Sequence, residues 1–459
     1  MDKEKYLNLI KKYNVIKGSF YTEYPPIGLW IGGFSDEEYR RALNEIPQDR
    51  KLGFYVHNVF CPEKCLYCQC HSLITKNRER VTENVDYLCK EIDMLSNLFG
   101  GNVPDIRKIH YGGGSPTYLD EQQFDVLHRK IGEIINTNNL EEVALEVDPR
   151  TVTLEKMIYY HEKGVNRISF GIQDFDPEVQ KAVNRIQPIE MVEKLMTPNI
   201  RKHFGVNFDI IYGMPRQTRE SFSRTIKDVI RLSPDRLNIC LLGWRPDIFP
   251  FQRAIKESEF PNLEEGALMN LEAIQTLLDA GYERIGLDHF SKPDDNYFLA
   301  KKQGKLHRNS QGYNPGDCID LIGIGPSGTS RILNYYFQKE YDLKKYYSSI
   351  DRKKFPVFRG YKLTKNEELR REIMEDITCY EIVDFSKFEK KYGINFGDYF
   401  KNELNSFDEL IQDEIVEVSD KSVNVTPMGK FFLRHVCSKF DELLRRGQKY
   451  KHSKEHIKI

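Results

Sequence analysis

From about residue 52 to residue 290, short apolar runs alternate with longer segments whose apolar residues recur at helical spacing. The runs are LGFYVHNVF (52–60), IRKIHYGG (106–113), EVALEVD (142–148), NRISFGI (166–172), GVNFDIIYG (205–213), RLNICLL (236–242) and YERIGLDHF (282–290). Between them lie amphipathic segments such as ENVDYLCKEIDMLSNLF and EQQFDVLHRKIGEII. Repeated strand–helix alternation predicts a parallel sheet with right-handed crossovers. Strands that are apolar on both faces predict a sheet covered on both sides. The expected class is α/β, a partial or closed (β/α) barrel. Each run stops at a polar or glycine-rich cluster: VHNVF at the cysteines, KIHY at GGGS, ALE at VDPR, ISFGI at QDF and FDIIYG at MPRQT. Ligands collect at the carboxyl ends of parallel strands, so these clusters mark the functional end.

Past residue 300 the pattern changes. Residues 307–330 are glycine-rich around a short apolar core, and residues 363–445 read as mostly helical. They include a strand-like pair, IVEVSD and SVNVTP, which suggests a winged-helix-like unit. The chain therefore divides into an N-terminal substrate or cover segment (1–50), a barrel (51–300), a glycine-rich connection or second-cofactor region (301–362) and a helical C-terminal domain (363–459). No basic recognition face accompanies the winged-helix-like unit, so it is expected to cover the barrel and not to bind DNA.

Composition narrows the classes. Lys plus Arg number 68 against 69 Asp plus Glu, a formal charge of −1, which argues against a nucleic-acid or membrane-surface binder. The terminal RRGQKYKHSKEHIKI is locally basic and is expected to be a solvated end. The opening MDKEKYLNLIKKY has no apolar leader segment, and no run is long enough to span a bilayer. Nine cysteines, five of them scattered, argue against a disulfide framework and for a reducing cytoplasm.

The other four fall within CPEKCLYCQC (61–70). A zinc site usually has two separated Cys/His pairs, and here there is one cluster. A redox C-x-x-C does not need the third cysteine. Cys61, Cys65 and Cys68 on a loop after a strand suit an iron–sulfur cluster. In a four-iron cluster three thiolates leave one iron open to bind a reactant.

C-x3-C-x2-C after a first barrel strand resembles the radical S-adenosylmethionine superfamily. GGGSP (112–116) resembles its GGGTP motif, with Ser115 keeping the hydroxyl. YVHNVFC, EVDPR (146–150), GIQDFDPEVQKAVNRIQ (171–187), DIIYGMPRQT (209–218), DHFSKPDD (288–295) and LHRNSQGY (306–313) narrow the likeness to the oxygen-independent coproporphyrinogen III oxidase family, over essentially the whole chain. Cys70 agrees with the oxidase branch, in which a fourth cysteine there is not a cluster ligand; the heme-chaperone relatives typically lack it. The resemblance implies that Cys61, Cys65 and Cys68 hold a [4Fe-4S] cluster. It implies that Tyr55, Gly113, Gly114, Ser115, Glu146, Gln173, Arg185 and Asp209 hold S-adenosylmethionine. Gly243, Ser310 and Thr329 fall at second-cofactor positions, so one or two such molecules are expected. No residue is singled out as catalytic.

The expected chemistry is hydrogen abstraction from a propionate β-carbon by a 5′-deoxyadenosyl radical, followed by loss of carbon dioxide and formation of a vinyl group. The substrate would be a tetrapyrrole. The electron would come from an external donor such as flavodoxin or ferredoxin, and the protein would act as a cytoplasmic monomer. Several departures touch the substrate region. The family's P-R-Y-T-S-Y-P becomes SFYTEYP (19–25), which places Phe20 at an arginine and adds the charge of Glu23. Y-A-H-L-P becomes LGWRP (242–246), where Trp244 and Arg245 stack on a flat ring, bind a carboxylate or pack within a loop. Ser310 replaces a phenylalanine, and Thr329 an apolar contact. These changes keep open a relative acting on another substrate, such as a methyl or methylene transferase or a tetrapyrrole-modifying enzyme; a heme-binding chaperone and a zinc-stabilised transcription factor built on the winged-helix-like tail are the remaining alternatives.

Overall fold

A computed structural model describes residues 2–13 and 23–445. Phe20 and the basic tail from residue 446 onward lie outside the described residues. Six parallel strands follow the first six runs: β1 (Lys51–Asn58), β2 (Asp105–Gly113), β3 (Glu142–Val147), β4 (Arg167–Gln173), β5 (Gly205–Tyr212) and β6 (Arg236–Leu241). The seventh run departs from expectation. It breaks into two short antiparallel strands, β7 (Glu283–Ile285) and β8 (His289–Ser291), and β8 pairs with β6. Gly286 causes the reversal, because its φ of +56° lies where glycine carries no Cβ penalty.

β9 (Leu306–Asn309) and β10 (Gly312–Pro315) form a separate hairpin. β11 (Asp320–Ile324) then returns beside β1 and runs parallel to it. β12 (Thr329–Ile332), β13 (Tyr335–Lys339) and β14 (Val357–Lys362) extend the sheet beyond β11 in antiparallel order. The full order is β14-β13-β12-β11-β1-β2-β3-β4-β5-β6-β8-β7, with β14 and β7 at its two ends. The barrel is therefore partial, and residues 320–362 continue its sheet.

The crossover helices explain their own boundaries. Arg78–Phe99 buries Val81, Val85, Leu88, Ile92, Leu95 and Phe99 on one stripe, starts on the Asn77 side-chain cap and stops at left-handed Gly100. Glu121–Gly132 and Arg219–Leu232 each begin with a capping box, built by Asp120 with Gln123 and by Thr218 with Ser221. Their apolar faces and the strands make one main core. A second core joins the C-terminal helices to the three-stranded unit of β15 (Ile382–Asp384), β16 (Val416–Val418) and β17 (Ser422–Val425). Tyr6, Leu9 and Ile10 of the N-terminal helix Lys3–Tyr13 belong to this second core, so that helix packs on the C-terminal unit.

One polar tie crosses the main core. Glu91 and Lys339 are both fully buried and sit 2.9 Å apart as an ion pair. Glu91 also accepts from the Gly325 N–H at 2.9 Å and from the Tyr346 hydroxyl at 2.5 Å. The first crossover helix thereby holds the turn between β11 and β12. Lys339→Met strips a buried carboxylate of its cation and should cost about 3–5 kcal/mol in urea unfolding; a loss below about 1 kcal/mol, the range of exposed pairs, would show that water reaches the pair.

Candidate active site

The end of β1 and the glycine run at the end of β2 are tied into one unit. Asn58 donates through Nδ2 to the carbonyls of Phe60 (3.1 Å) and Ser115 (2.7 Å). In return the Gly114 N–H donates to the Asn58 carbonyl (2.5 Å) and the Ser115 N–H to the Phe60 carbonyl (3.1 Å). The far end of the cysteine loop is strapped by histidine. Tyr55 donates to His57 Nδ1 at 2.9 Å, and His57 Nε2 donates to the His71 carbonyl at 2.9 Å. That pair of bonds selects the neutral ring, in keeping with burial, which lowers the His57 pKa. Asn58 and His57 went unassigned in the sequence reading, although both lie in the YVHNVFC stretch quoted there.

Gly113 is a position only glycine can fill. Its φ is +106°, and a Cβ there would stand 2.7 Å from the Asn58 carbonyl and 2.8 Å from the His57 ring. A Cβ on Gly114 would lie 3.1 Å from Cys61 Sγ, so this backbone passes directly beside the thiols.

Cys61, Cys65 and Cys68 line a cavity of about 230 Å³. Gly113, Gly114, Ser115, Glu146, Gln173, Arg185 and Asp209 line the same cavity. Tyr55 does not line it; its hydroxyl is spent on His57, which lies behind the cavity wall. Glu146 accepts from the Gly113 N–H (3.1 Å) and from His110 Nε2 (3.0 Å). Asp209 is held by Ser169 Oγ (2.9 Å) and Asn207 Nδ2 (2.8 Å), and burial raises its pKa against these bonds. Gln173 has φ +66° beside an irregularity in the β4–β5 register, which re-aims the end of β4. Arg185 and Arg150 approach Cys65 Sγ at 3.5 and 3.6 Å, and both pair with Asp148, at 3.4 and 2.7 Å. Asp148 and Arg150 were also missed, though they belong to EVDPR.

The thiols differ. Burial, with Cys68 and Cys65 close by, pushes Cys61 up to about 12, whereas a hydrogen bond with Cys70 brings Cys68 down to about 6. Among the described residues no three His, Cys, Asp or Glu side chains close on a single ion. The three cysteines surround a space and do not form a mononuclear site.

A second cavity of about 300 Å³ runs down the lumen and shares Glu146, Ser169 and Asp209 with the first. Its polar wall includes Lys108, Asn238 and His289. Arg236 closes the floor, fully buried against Asp295 (2.6 Å) with its guanidinium 3.6 Å above the Tyr297 ring.

Other expected positions lie elsewhere. Ser310 and Thr329 are 3.1 Å apart at their hydroxyls, and Gly243 accepts from Gln69; none of the three lines either cavity. MPRQT does not reach the cavity, because Gln217 turns back to hold Asp174 at 2.6 Å. Trp244 and Arg245 pack within their loop, Trp244 against Phe260 (5.2 Å) and Arg245 against Asp247 (3.5 Å). Glu23 is set among the guanidiniums of Arg331, Arg371 and Arg308, and burial pushes its carboxyl up to about 7 against them.

The chain is 37% identical over 442 residues to an oxygen-independent coproporphyrinogen III oxidase from Salmonella typhimurium, covering 96% of this chain and 95% of the relative, and to the Escherichia coli K12 enzyme of that name to the same extent. The chain belongs to the oxygen-independent coproporphyrinogen III oxidase family. The relative from Synechocystis is 33% identical, with 96% of each chain covered. The Radical SAM superfamily model matches residues 55–229, and that of the HemN C-terminal domain matches residues 363–432. A solved structure described as "Coproporphyrinogen III oxidase (HemN) from Escherichia coli is a Radical SAM enzyme" superposes with a TM-score of 0.89 at 35% identity, covering 95% of this chain and 98% of that one.

The cavity fits what this family binds. It offers three thiols on one wall, a glycine cradle with no room for side chains on the next, and carboxylates and guanidiniums facing both. Replacing Cys61, Cys65 or Cys68 by alanine should abolish iron retention and the sulfide-to-iron absorbance of anaerobically reconstituted protein. Cys70→Ala should keep both. Equal loss in all four variants would contradict the three-thiol arrangement.

Proposed function

We propose that this chain carries out the oxygen-independent oxidative decarboxylation of coproporphyrinogen III to protoporphyrinogen IX. The observation that carries this reading is the convergence of the three thiols, the glycine cradle and the Glu146–Asp209 wall on one cavity that opens onto a polar lumen, in a chain of this family. It is an oxidoreductase. Each reacting propionate gives one hydrogen atom to a 5′-deoxyadenosyl radical and one electron to an external one-electron acceptor, and loses carbon dioxide to leave a vinyl group.

Cys61, Cys65 and Cys68 hold three corners of a [4Fe-4S] cluster, and the cradle holds one S-adenosylmethionine; together, when bound, these supply the hydrogen-abstracting radical. Every other contribution comes from the chain. The carbonyls and N–H groups of Gly113–Ser115, with Glu146, orient the methionyl ammonium. Arg185 takes the methionyl carboxylate as a fork, releasing its longer contact with Asp148. Asp209, positioned by Ser169 and Asn207, accepts from ribose hydroxyls. Arg150 remains on Asp148 and keeps its guanidinium beside the Cys65 sulfur. Ser310, Thr329 and Gly243 are assigned to a second such molecule by resemblance alone, so the working stoichiometry is one.

An external one-electron donor of the flavodoxin or ferredoxin type and a cytoplasmic setting complete the reading, with the chain acting as a monomer. Among the described residues no helix is long and apolar enough to cross a membrane.

Anaerobic incubation of reconstituted protein with S-adenosylmethionine, a reductant and coproporphyrinogen III should yield protoporphyrinogen IX with 5′-deoxyadenosine. Formation of 5′-deoxyadenosine while the tetrapyrrole stays unchanged would refute the substrate. Glu146→Gln should weaken S-adenosylmethionine binding about tenfold, the usual worth of one charge-assisted hydrogen bond. Isothermal titration at fixed iron content checks this.

A further inference from the structure

Beside β9 and β12 lies a small buried chamber of about 20 Å³, bounded by Glu23, Arg308, Arg331, Arg371, Met374 and Glu375 among others. Its contents are unusual for a protein interior. Arg331 is 4% exposed, and its Nε, like that of Arg371, finds no hydrogen-bond acceptor among the described residues. Glu23 Oε2 is likewise buried without a donor. Glu375 is already committed, to His307 at 2.9 Å and to Arg331 at 3.6 Å. Three guanidiniums thus surround one carboxylate whose Oε2 has no donor, while Nε of Arg331 and of Arg371 has no acceptor. A well-made buried ion pair has short, forked bonds, and among the described residues Glu23 makes none with Arg331 or Arg371.

The chamber is also connected to the lumen by charge. Arg308 lies 4.0 Å from Asp288, and Asp288 is 2.7 Å from Nδ1 of His289, which lines the lumen cavity. Arg308 and Arg331 stand two residues from Ser310 and Thr329 on the same short segments, whose hydroxyls meet at 3.1 Å.

We infer that Arg308, Arg331 and Arg371 form a receiving site for a carboxylate of a bound ligand, and that Glu23 occupies it in the ligand-free chain as an internal stand-in. The chemistry matches group for group, since the side chain of glutamate is itself a –CH₂–CH₂–COO⁻ arm, the same substituent that coproporphyrinogen bears. At about 20 Å³ the chamber has no room for a second carboxylate while Glu23 is inside, so a ligand arm enters only as Glu23 leaves. Exchange of one carboxylate for another keeps the arginines compensated throughout. The inference rests on the proposed substrate for the identity of that arm. An amino-acid carboxylate of S-adenosylmethionine has the same chemistry.

The test uses full-length, cluster-reconstituted protein. Coproporphyrin III, with four propionates, and etioporphyrin, with none, are titrated by fluorescence quenching, and S-adenosylmethionine by equilibrium dialysis. Glu23→Gln should tighten coproporphyrin binding, and Arg331→Met and Arg371→Gln should each weaken it, by about tenfold, as expected for gain or loss of a charge-assisted contact. Etioporphyrin binding should not change. The same pattern with S-adenosylmethionine in place of coproporphyrin supports the receiving site and assigns its carboxylate to the cofactor. Wild-type binding that no variant alters, with unfolding midpoints unchanged, overturns the inference and leaves the proposed function standing. Failure of the wild type to bind either carboxylate ligand overturns both.

Discussion

The site depends on a reciprocal clamp at the carboxyl ends of the first two strands. Asn58 gives its side-chain amide to the carbonyls of Phe60 and Ser115 and its own carbonyl to the Gly114 N–H. A cysteine loop by itself is a flexible strand-to-helix connection, and a triple glycine is more flexible still. Bonded to one another they lose that freedom, and the thiols face a fixed strip of backbone. The clamp works only because β1 and β2 are adjacent and parallel, so both loops emerge on the same edge. Glycine at 113 follows from the same geometry, since the Asn58 carbonyl and the His57 ring fill the space a side chain would need.

Around that clamp the barrel spends buried charge freely, but mostly in matched sets. Arg150 and Arg185 share Asp148; Arg236 meets Asp295; Lys339 meets Glu91. Each set joins segments distant in the chain, and each puts a polar group where a parallel barrel would otherwise be apolar. Such pairs contribute little net stability compared with apolar packing. Two of them shape the cavities, since Asp148, Arg150 and Arg185 line the thiol cavity and Arg236 the lumen, while the Glu91–Lys339 pair holds a turn. The chamber around Glu23 departs from this pattern, with its carboxylate and two of its guanidinium nitrogens left without close partners.

The two cores make the division of labour visible. The main core fixes the strands that carry the thiols, the glycines, Glu146 and Asp209. The second core joins the first helix of the chain to the last elements through Tyr6, Leu9 and Ile10, so the two ends of the described chain are packed together. Tyr24 also belongs to this second core, while its neighbour Glu23 faces Arg308 of β9 and Arg331 of β12.

Much was legible from local pattern. Recurring apolar runs revealed six parallel strands, although β4 and β5 bury only alternate residues and turn Ser169, Asn207 and Asp209 into the lumen. The cysteine spacing and the glycine run named the chemistry because thiolates and bare backbone have few other uses at strand ends. Misreadings arose where the partner was remote. YERIGLDHF has strand composition, yet Gly286 folds it into two antiparallel pieces. MPRQT lies at a strand end, yet Gln217 serves Asp174. Glu23 read as an added charge facing the substrate, and only the approach of β12 and the helix Lys365–Tyr380 set it among arginines. Sequence alone determined most of the elements and the family, because these depend on neighbours within a few positions. Tertiary structure alone decided which charges meet and which candidates share a cavity, because those contacts join residues tens to hundreds of positions apart, and no local periodicity encodes them.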